Sequence, residues 1–341
     1  EDCAVSLDHL ADYTAQLKEI FKKYNTSGMF YAHASVGTLH IRPVLNMKSD
    51  EDIKNMRSIS EESFEIVKNY KGSHSGEHGD GIVRSEFHDM MFGKKIVNAF
   101  EEIKDTFDSK NLLNPGKIVR PFKSNDRDLM RYKSGYQAQN ISTHYDWSNW
   151  GQFTDAVEMC NNNGACRKLD SGVMCPSYRV TKEEKDLVRG RANTLRLALS
   201  NQLPEGSFAS KEMYETMELC VSCKACQREC PMSVDMAKMK SEFLSHYYKK
   251  FSMRIKDRIT SEMPRLIWLL KIIAPIFNKI KNLPLISSIV EKFGFAVERN
   301  MPEVQNQNTL REIYNDQNFS EKKVLLFADT FNVNFENQNL I

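Results

Sequence analysis

Apolar residues over 7–24 fall at helical spacing, with Leu10, Tyr13, Leu17, Ile20 and Phe21 on one face and charged residues between them, which predicts an amphipathic helix. Over 31–45 the pattern shortens to two strands around Ser35-Val36-Gly37-Thr38. Helical spacing returns over 50–70 and again over 89–107, with a glycine-rich loop at 72–81 between them. Asn114-Pro115-Gly116 should close this unit, because Pro and Gly together stop a helix and set a turn. Residues 1–121 therefore read as one α+β domain, an antiparallel sheet with helices. Residues 122–150 are polar with scattered aromatics and are expected to be a linker.

From 151 to 250 strand patterns are scarce while 189–199 and 232–250 look helical, so an all-α domain is expected there. Residues 251–320 continue as a basic helical segment punctuated by Pro264, Pro275 and Pro284. The stretch 321–341 opens on a strand-like run at 323–327 followed by Asp329-Thr330, and reads as the start of a further domain. Together with the opening Glu1-Asp2-Cys3, this leads us to expect a segment of a longer polypeptide.

The 341 residues give room for two or three domains. With 41% hydrophobic and 27% charged residues, the composition is globular and excludes both wholesale disorder and a fibrous repeat. A net charge of +2 argues against a chain built for nucleic acid. The balance is uneven, however, with eleven Lys or Arg against four Asp or Glu over 232–281. Such a run is either a set of solvated helix faces or a basic amphipathic surface resting peripherally on a membrane or an acidic partner. No run reaches the ~20 apolar residues of a membrane span. The expected location is the cytoplasm, with peripheral contact at the inner membrane face as the alternative.

Cysteine use changes the picture most. Of eight Cys, seven lie between Cys160 and Cys230, a bunching unlike a secreted disulfide framework and suited to a metal or cluster site. Cys220-x2-Cys223-x2-Cys226-x3-Cys230-Pro231 is the strongest motif in the chain. Three thiolates at this spacing wrap a cubane cluster, and the fourth, before Pro, turns toward a second cluster in two-cluster ferredoxins. A structural zinc site is the alternative, although zinc motifs usually pair two C-x2-C knuckles across a longer gap.

Upstream, Cys160 and Cys166 are six apart, and the position midway between them is Asn163. Cys175-Pro176 follows after eight residues. If ligands cross over, Cys220, Cys223, Cys226 and Cys175 complete one 4Fe-4S cluster, leaving Cys160, Cys166 and Cys230 as three thiolates for another. That second site is open to a 3Fe-4S cluster, to an incomplete 4Fe-4S site with Asn163, water or another non-cysteine group as the remaining ligand, or to none. This region resembles the α-helical ferredoxin domains of succinate dehydrogenase iron–sulfur subunits and of respiratory glycerol-3-phosphate dehydrogenase. There, loss of one loop cysteine accompanies a 3Fe-4S cluster. Arg189-Gly190-Arg191 either neutralises cluster sulfides or lies on the surface.

In the first domain His33 and His40 flank a glycine-containing turn, and Glu77-His78 sits inside Gly76-Glu77-His78-Gly79-Asp80-Gly81. Two imidazoles and a carboxylate form a common catalytic zinc or manganese set, but two histidines seven apart are more often structural or exposed. His33 to His40, Gly76 to Gly81 and Leu113-Asn114-Pro115-Gly116-Lys117, in this order, resemble the C-terminal cap domain of FAD-linked oxidases of the vanillyl-alcohol-oxidase type. The match is to the D-2-hydroxyglutarate and D-lactate dehydrogenase group, in its long form fused to an iron–sulfur region.

The resemblance implies that His33, His40 and Glu77 bind a divalent zinc or manganese ion holding a 2-hydroxy acid. It makes His78 the base, and places Asn114 near the flavin with Lys117 in the same motif. Metal on the substrate hydroxyl would lower its pKa so that His78 takes the proton, while hydride passes to FAD and onward as single electrons through the clusters. Arg42 and Arg84 are candidates to clamp the substrate carboxylate. The resemblance departs from its family at one point: nothing here supplies the phosphate-binding glycine loop of an FAD domain. An upstream FAD domain is therefore expected to be missing, and the chain alone to be inactive. The electron acceptor would be a quinone or a carrier protein. The competing reading is a non-catalytic iron–sulfur subunit that docks onto a separate flavoprotein. Trp147 and Trp150 are expected to pack between domains.

Overall fold

A computed structural model of the chain describes residues 2–305 and 327–340. They fall into two units, Glu1–Gln139 with Leu199–Gln202, and Asn140–Ala198 with Leu203–Ile341. In the first unit, strands β1 (Asp2–Ala4), β2 (Gly28–His33) and β3 (Thr38–Pro43) form an antiparallel sheet in the order β1-β3-β2. Strand β1 has no counterpart in the sequence reading, since three residues are too few to display an alternation.

Alternation along β2 and β3 sorts the two faces of the sheet. Leu39, Ile41 and Cys3 point into a core with Phe30 packed against it, while Tyr31, His33, His40 and Arg42 take the opposite face. Helices α1 (Leu10–Lys23) and α2 (Asp50–Asn69) cover the apolar face, as the helical spacing predicted. Leu17 and Val67 are fully buried there, each worth about 2 kcal/mol. Cys3 belongs to this core, where burial raises its thiol pKa, and it is no cluster ligand. The helix expected over 89–107 is two helices, α3 (His88–Phe92) and α4 (Lys94–Phe107). Gly93 at φ 80° turns the chain between them, a conformation that favours glycine.

The second unit holds α5 (Phe153–Glu158), α6 (Pro176–Thr181), α7 (Val188–Leu199), α8 (Lys211–Glu218), α9 (Ala225–Glu229) and α10 (Met236–Lys250), and no strand among the described residues. Helix α11 (Ile255–Ile280) runs on through Pro264 and Pro275, which punctuation by proline did not anticipate. Each proline removes one backbone donor, and a long helix can absorb that loss locally. Pro284 opens α12 (Pro284–Lys292) at its first turn, where it has no hydrogen bond to lose. Of the strand expected at 323–327, residues 323–326 lie outside the described residues. Asp329 caps α13 (Thr330–Phe335), accepting from the amides of Phe331 and Asn332.

Residues 122–150 are anchored at both ends. Ser124 N donates to Glu86 at 2.6 Å and Arg127 Nη1 to the Met47 carbonyl at 2.9 Å, within the first unit. Within the second, Glu242 of α10 is fully buried and accepts from His144 N, Tyr145 N and Trp147 Nε1 at 2.8, 3.0 and 3.1 Å. Burial alone would raise the Glu242 pKa, but these three donors outweigh it and hold the carboxyl below its ordinary value. The folded pKa lies under the unfolded one. Its contribution is therefore complete above about pH 4.3 and is lost as pH falls through the lower folded value. Glu242→Ala leaves three donors without an acceptor and should cost about 2–4 kcal/mol. Urea or thermal unfolding followed by Trp147 fluorescence checks this. An unchanged midpoint would show that the buried carboxylate holds nothing in place.

Candidate functional site

Strand register builds the first site. Tyr31 lies opposite His40, Asp2 lies on the other side of His40, and His33 is two residues along from Tyr31 on the same face. The glycine-rich loop reaches this face along β1, where Ala4 and Ser73 exchange backbone hydrogen bonds at 2.9 and 2.8 Å and Gly76 N donates to the Asp2 carbonyl at 2.8 Å. A Cβ at Gly76 would stand 2.7 Å from that carbonyl oxygen, so only glycine allows the approach. The Asp2 carboxylate then accepts from Glu77 N at 2.8 Å and His78 N at 2.6 Å.

Glu77 Oε1 consequently stands 2.9 Å from His40 Nε2, 3.4 Å from His33 Nε2 and 3.3 Å from His78 Nε2. His40 is buried between the Tyr31 ring, stacked at 4.5 Å, and the His78 ring, stacked at 5.0 Å. His33, Glu77 and His78 remain open to solvent, so the group has a buried base and an accessible mouth. The ligand atoms of His33, His40 and Glu77 lie within 4.8 Å of one another, close to the spacing that bonds of about 2.0–2.2 Å to one ion require. The donor set thus suits a divalent cation with open positions.

The two arginines part company. Arg42 is exposed on the His40 face and its Nη2 donates to the Tyr31 hydroxyl at 3.1 Å. Arg84 pairs with the fully buried Asp2 carboxylate, on the oxygen that the loop amides leave. Sequence reasoning missed Asp2 altogether, because a lone acidic residue near a chain end carries no motif. Lys117 Nζ donates to Asn114 Oδ1 at 3.3 Å on a rim of exposed apolar side chains that includes Phe107, Leu112 and Leu113. Asn114 itself takes φ 48°, and Asp108 pins the approach to it by accepting from Leu112 N and Leu113 N at 2.9 and 2.8 Å. Hydrogen bonding from Lys104 and these two amides lowers the Asp108 carboxyl to about 2.

The second site lies in the helical unit. Cys175, Cys220, Cys223 and Cys226 line one cavity, together with Val188, Arg191, Met236 and Ala237. Tight left-handed turns at Cys175, Ser222 and Lys224, with φ of 54°, 54° and 59°, curl the backbone around it. Val188 N donates to Cys175 Sγ at 3.2 Å. Lys240 Nζ, its pKa lowered by burial, ties the loop by donating to the carbonyls of Cys220 and Glu218 at 2.6 and 3.1 Å. Burial pushes the Cys175 thiol up to about 12 and raises Cys226 as well, so without a metal these thiols stay protonated.

Among the described residues, no three side chains that include a thiol bring their ligand atoms within 4.8 Å of one another. Thiolates on one zinc ion, bound at about 2.3 Å, would stand only about 3.8 Å apart. Cys160 and Cys166 are both buried and interact electrostatically with each other and with Arg189. Asn163 spends its side chain locally, accepting from Ala165 N at 2.8 Å and donating to Asn161 Oδ1 at 2.6 Å.

Comparison with known proteins bears on both sites. Residues 1–118 match the family of FAD linked oxidases, C-terminal domain, and residues 156–234 the 4Fe-4S dicluster domain. A D-2-hydroxyglutarate dehydrogenase of Escherichia coli is 28% identical over 90% of this chain and 34% of its own length. One from Pantoea ananatis is 30% identical over 76% of the chain and 29% of its own length. A D-lactate dehydrogenase of Archaeoglobus fulgidus matches over 35% of the chain and 26% of its own length, at 29% identity. The chain spans about a third of the length of the D-2-hydroxyglutarate dehydrogenases. The chain thus joins a C-terminal domain of the FAD-linked oxidase family to a 4Fe-4S dicluster domain.

Proposed function

We propose that this chain is the substrate-binding and cluster-bearing part of a D-2-hydroxy acid dehydrogenase of the D-2-hydroxyglutarate or D-lactate type. It would oxidise substrate to the 2-oxo acid and pass electrons through 4Fe-4S to a quinone or carrier protein. The observation that carries this reading is the convergence of His33, His40 and Glu77 around one point, with His78 beside them and Arg42 on the same face. His33, His40 and Glu77 would hold a zinc or manganese ion. Such an ion supplies a lowered pKa for the substrate hydroxyl. His78 Nε2 would take that proton, with Nδ1 turned toward the Asp2 carboxylate at 3.8 Å and the backbone fixed by the same group. Arg42 would receive the substrate carboxylate in bidentate fashion. Arg84 would act through Asp2 rather than on substrate, since it is committed to that pair.

Asn114 and Lys117 would border FAD carried by another domain, and the exposed Phe107, Leu112 and Leu113 form an apolar rim for that domain to cover. Bound FAD supplies the two-electron acceptor. Cys175, Cys220, Cys223 and Cys226 would ligate one 4Fe-4S cluster, since the four line one cavity and the x2, x2, x3 spacing before Pro231 is that of cluster motifs. Cys160, Cys166 and Cys230 would serve a second cluster, 3Fe-4S or incomplete 4Fe-4S, to which Asn163 offers no free side chain as placed. Helix α11 exposes Leu266, Trp268, Ile272 and Ile276 among its basic residues, which fits peripheral contact with an acidic membrane surface. No described helix is long and apolar enough to cross a membrane.

In the full-length protein with its FAD domain, His78→Ala should lower kcat for D-2-hydroxyglutarate or D-lactate by about 10²–10⁴-fold. Turnover unchanged by that substitution would instead favour a docking subunit whose chemistry lies elsewhere. Anaerobically purified chain should contain about four iron and four acid-labile sulfide per filled 4Fe-4S site. Cys226→Ala should abolish one cluster signal in the reduced EPR spectrum. Zinc in place of iron at that cavity would overturn the cluster assignment.

A further inference from the structure

A second group of ligand-type side chains lies at the ends of the same loop. His74 Nε2 stands 3.3 Å from Asp80 Oδ1, and His88 Nε2 stands 3.1 Å from Asp80 Oδ2. Ligand atoms from the three residues all fall within 4.8 Å of one another. His74 and His88 are 1% and 2% exposed, so the group is closed where the first is open. Its walls are aromatic, with Phe64 edge-on to His74 at 5.3 Å, Phe92 against both imidazoles at 5.7 and 5.4 Å, and Phe100 beside His88 at 6.1 Å.

Polar atoms in such surroundings need partners, and these face one another and, for His74, the Arg84 backbone, without well-aligned hydrogen bonds. Neither nitrogen of His74, neither nitrogen of His88, nor Asp80 Oδ1 makes a contact of hydrogen-bond geometry. Buried donors and acceptors left unpaired cost about 1–3 kcal/mol each. A divalent ion removes that cost. Bonds of about 2.0–2.2 Å in a tetrahedron place neighbouring ligand atoms about 3.3–3.5 Å apart, near the distances between Asp80 and the two imidazoles.

We propose that His74, Asp80 and His88 hold a second divalent cation of the zinc class, structural in role, that ties the Glu77–His78 loop to α3. Two imidazole nitrogens and one carboxylate oxygen make three donors, and with both imidazoles buried the fourth position falls to a small ligand such as water. His74 and Asp80 lie on either side of Glu77 and His78 in the chain, and His88 opens α3. An ion there clamps both ends of the loop that presents Glu77, independently of whether His33 and His40 bind anything.

The test compares the full chain, with its clusters loaded, in two forms: His33→Ala/His40→Ala, and the same with His88→Leu. The first should retain about one zinc after exhaustive dialysis, with nitrogen and oxygen but no sulfur in its zinc K-edge scattering. Once that zinc is stripped with a chelator, adding zinc back should raise the thermal midpoint by several degrees, as binding to the folded state alone requires. The second should keep no zinc and show no such rise. Asp80→Asn, which preserves volume, should behave as His88→Leu does and stands in if that variant fails to fold. A double-alanine protein without zinc or a zinc-dependent midpoint overturns the proposal, as does zinc that persists in both His88→Leu and Asp80→Asn. A hydrogen-bonded His–Asp–His relay would give the first of these results.

Discussion

One buried carboxylate organises the first unit. Asp2 is fully enclosed, accepts the amides of Glu77 and His78, receives the Gly76 amide on its carbonyl and pairs with Arg84. An uncompensated charge in that position would be prohibitive, so the three partners of the carboxylate, the Glu77 and His78 amides and Arg84, are held as firmly as the charge is. The loop bearing Glu77 and His78 is therefore not a flexible connection. It is an extension of the sheet edge, registered to β1 by the Ala4–Ser73 hydrogen bonds and to β3 through the Asp2–His40 pairing. Everything that the site can do chemically depends on this registration, because Glu77 meets the histidines only while its amide is so fixed.

The cysteine cavity follows a different principle. No single charge pair governs it. Backbone turns with positive φ at Cys175, Ser222 and Lys224 set the directions of the thiols, and an amide from Val188 meets the Cys175 sulfur. Burial raises the Cys175 and Cys226 thiol pKa values, so a metal or cluster bound there would have to displace protons. Turns already set would lower the ordering cost of such binding, and Lys240 Nζ holds the Cys220 segment through its carbonyl.

Much of this was legible beforehand. The helical spacing of Leu10, Tyr13, Leu17, Ile20 and Phe21 announced α1, and the alternation around Gly37 announced β2 and β3, because burial on one face imposes a period. Cys175 lines one cavity with Cys220, Cys223 and Cys226, although it lies far from them in the chain. Other features left no trace in the pattern. Gly93 breaks a helix that periodicity alone would continue, and α11 runs through two prolines that would be expected to end it. Residues 122–150 look like a linker by composition, yet Glu242 binds one end and Glu86 the other through single buried acceptors that no window average can register.

Local chemistry, then, belongs to the sequence: which residues could ligate, which segments coil and where glycine permits a close approach all follow from side-chain type and short-range spacing. Partnership belongs to the tertiary structure. Arg42 and Arg84 are equivalent as text, but only Arg84 meets Asp2, across 82 positions of chain. His74 and His88 look like scattered histidines until the fold closes Phe64, Phe92 and Phe100 around them and sets Asp80 between. Spacing constrains atoms a few residues apart, whereas burial and charge pairing depend on which distant segments the core brings together, and that is decided only when the chain is packed.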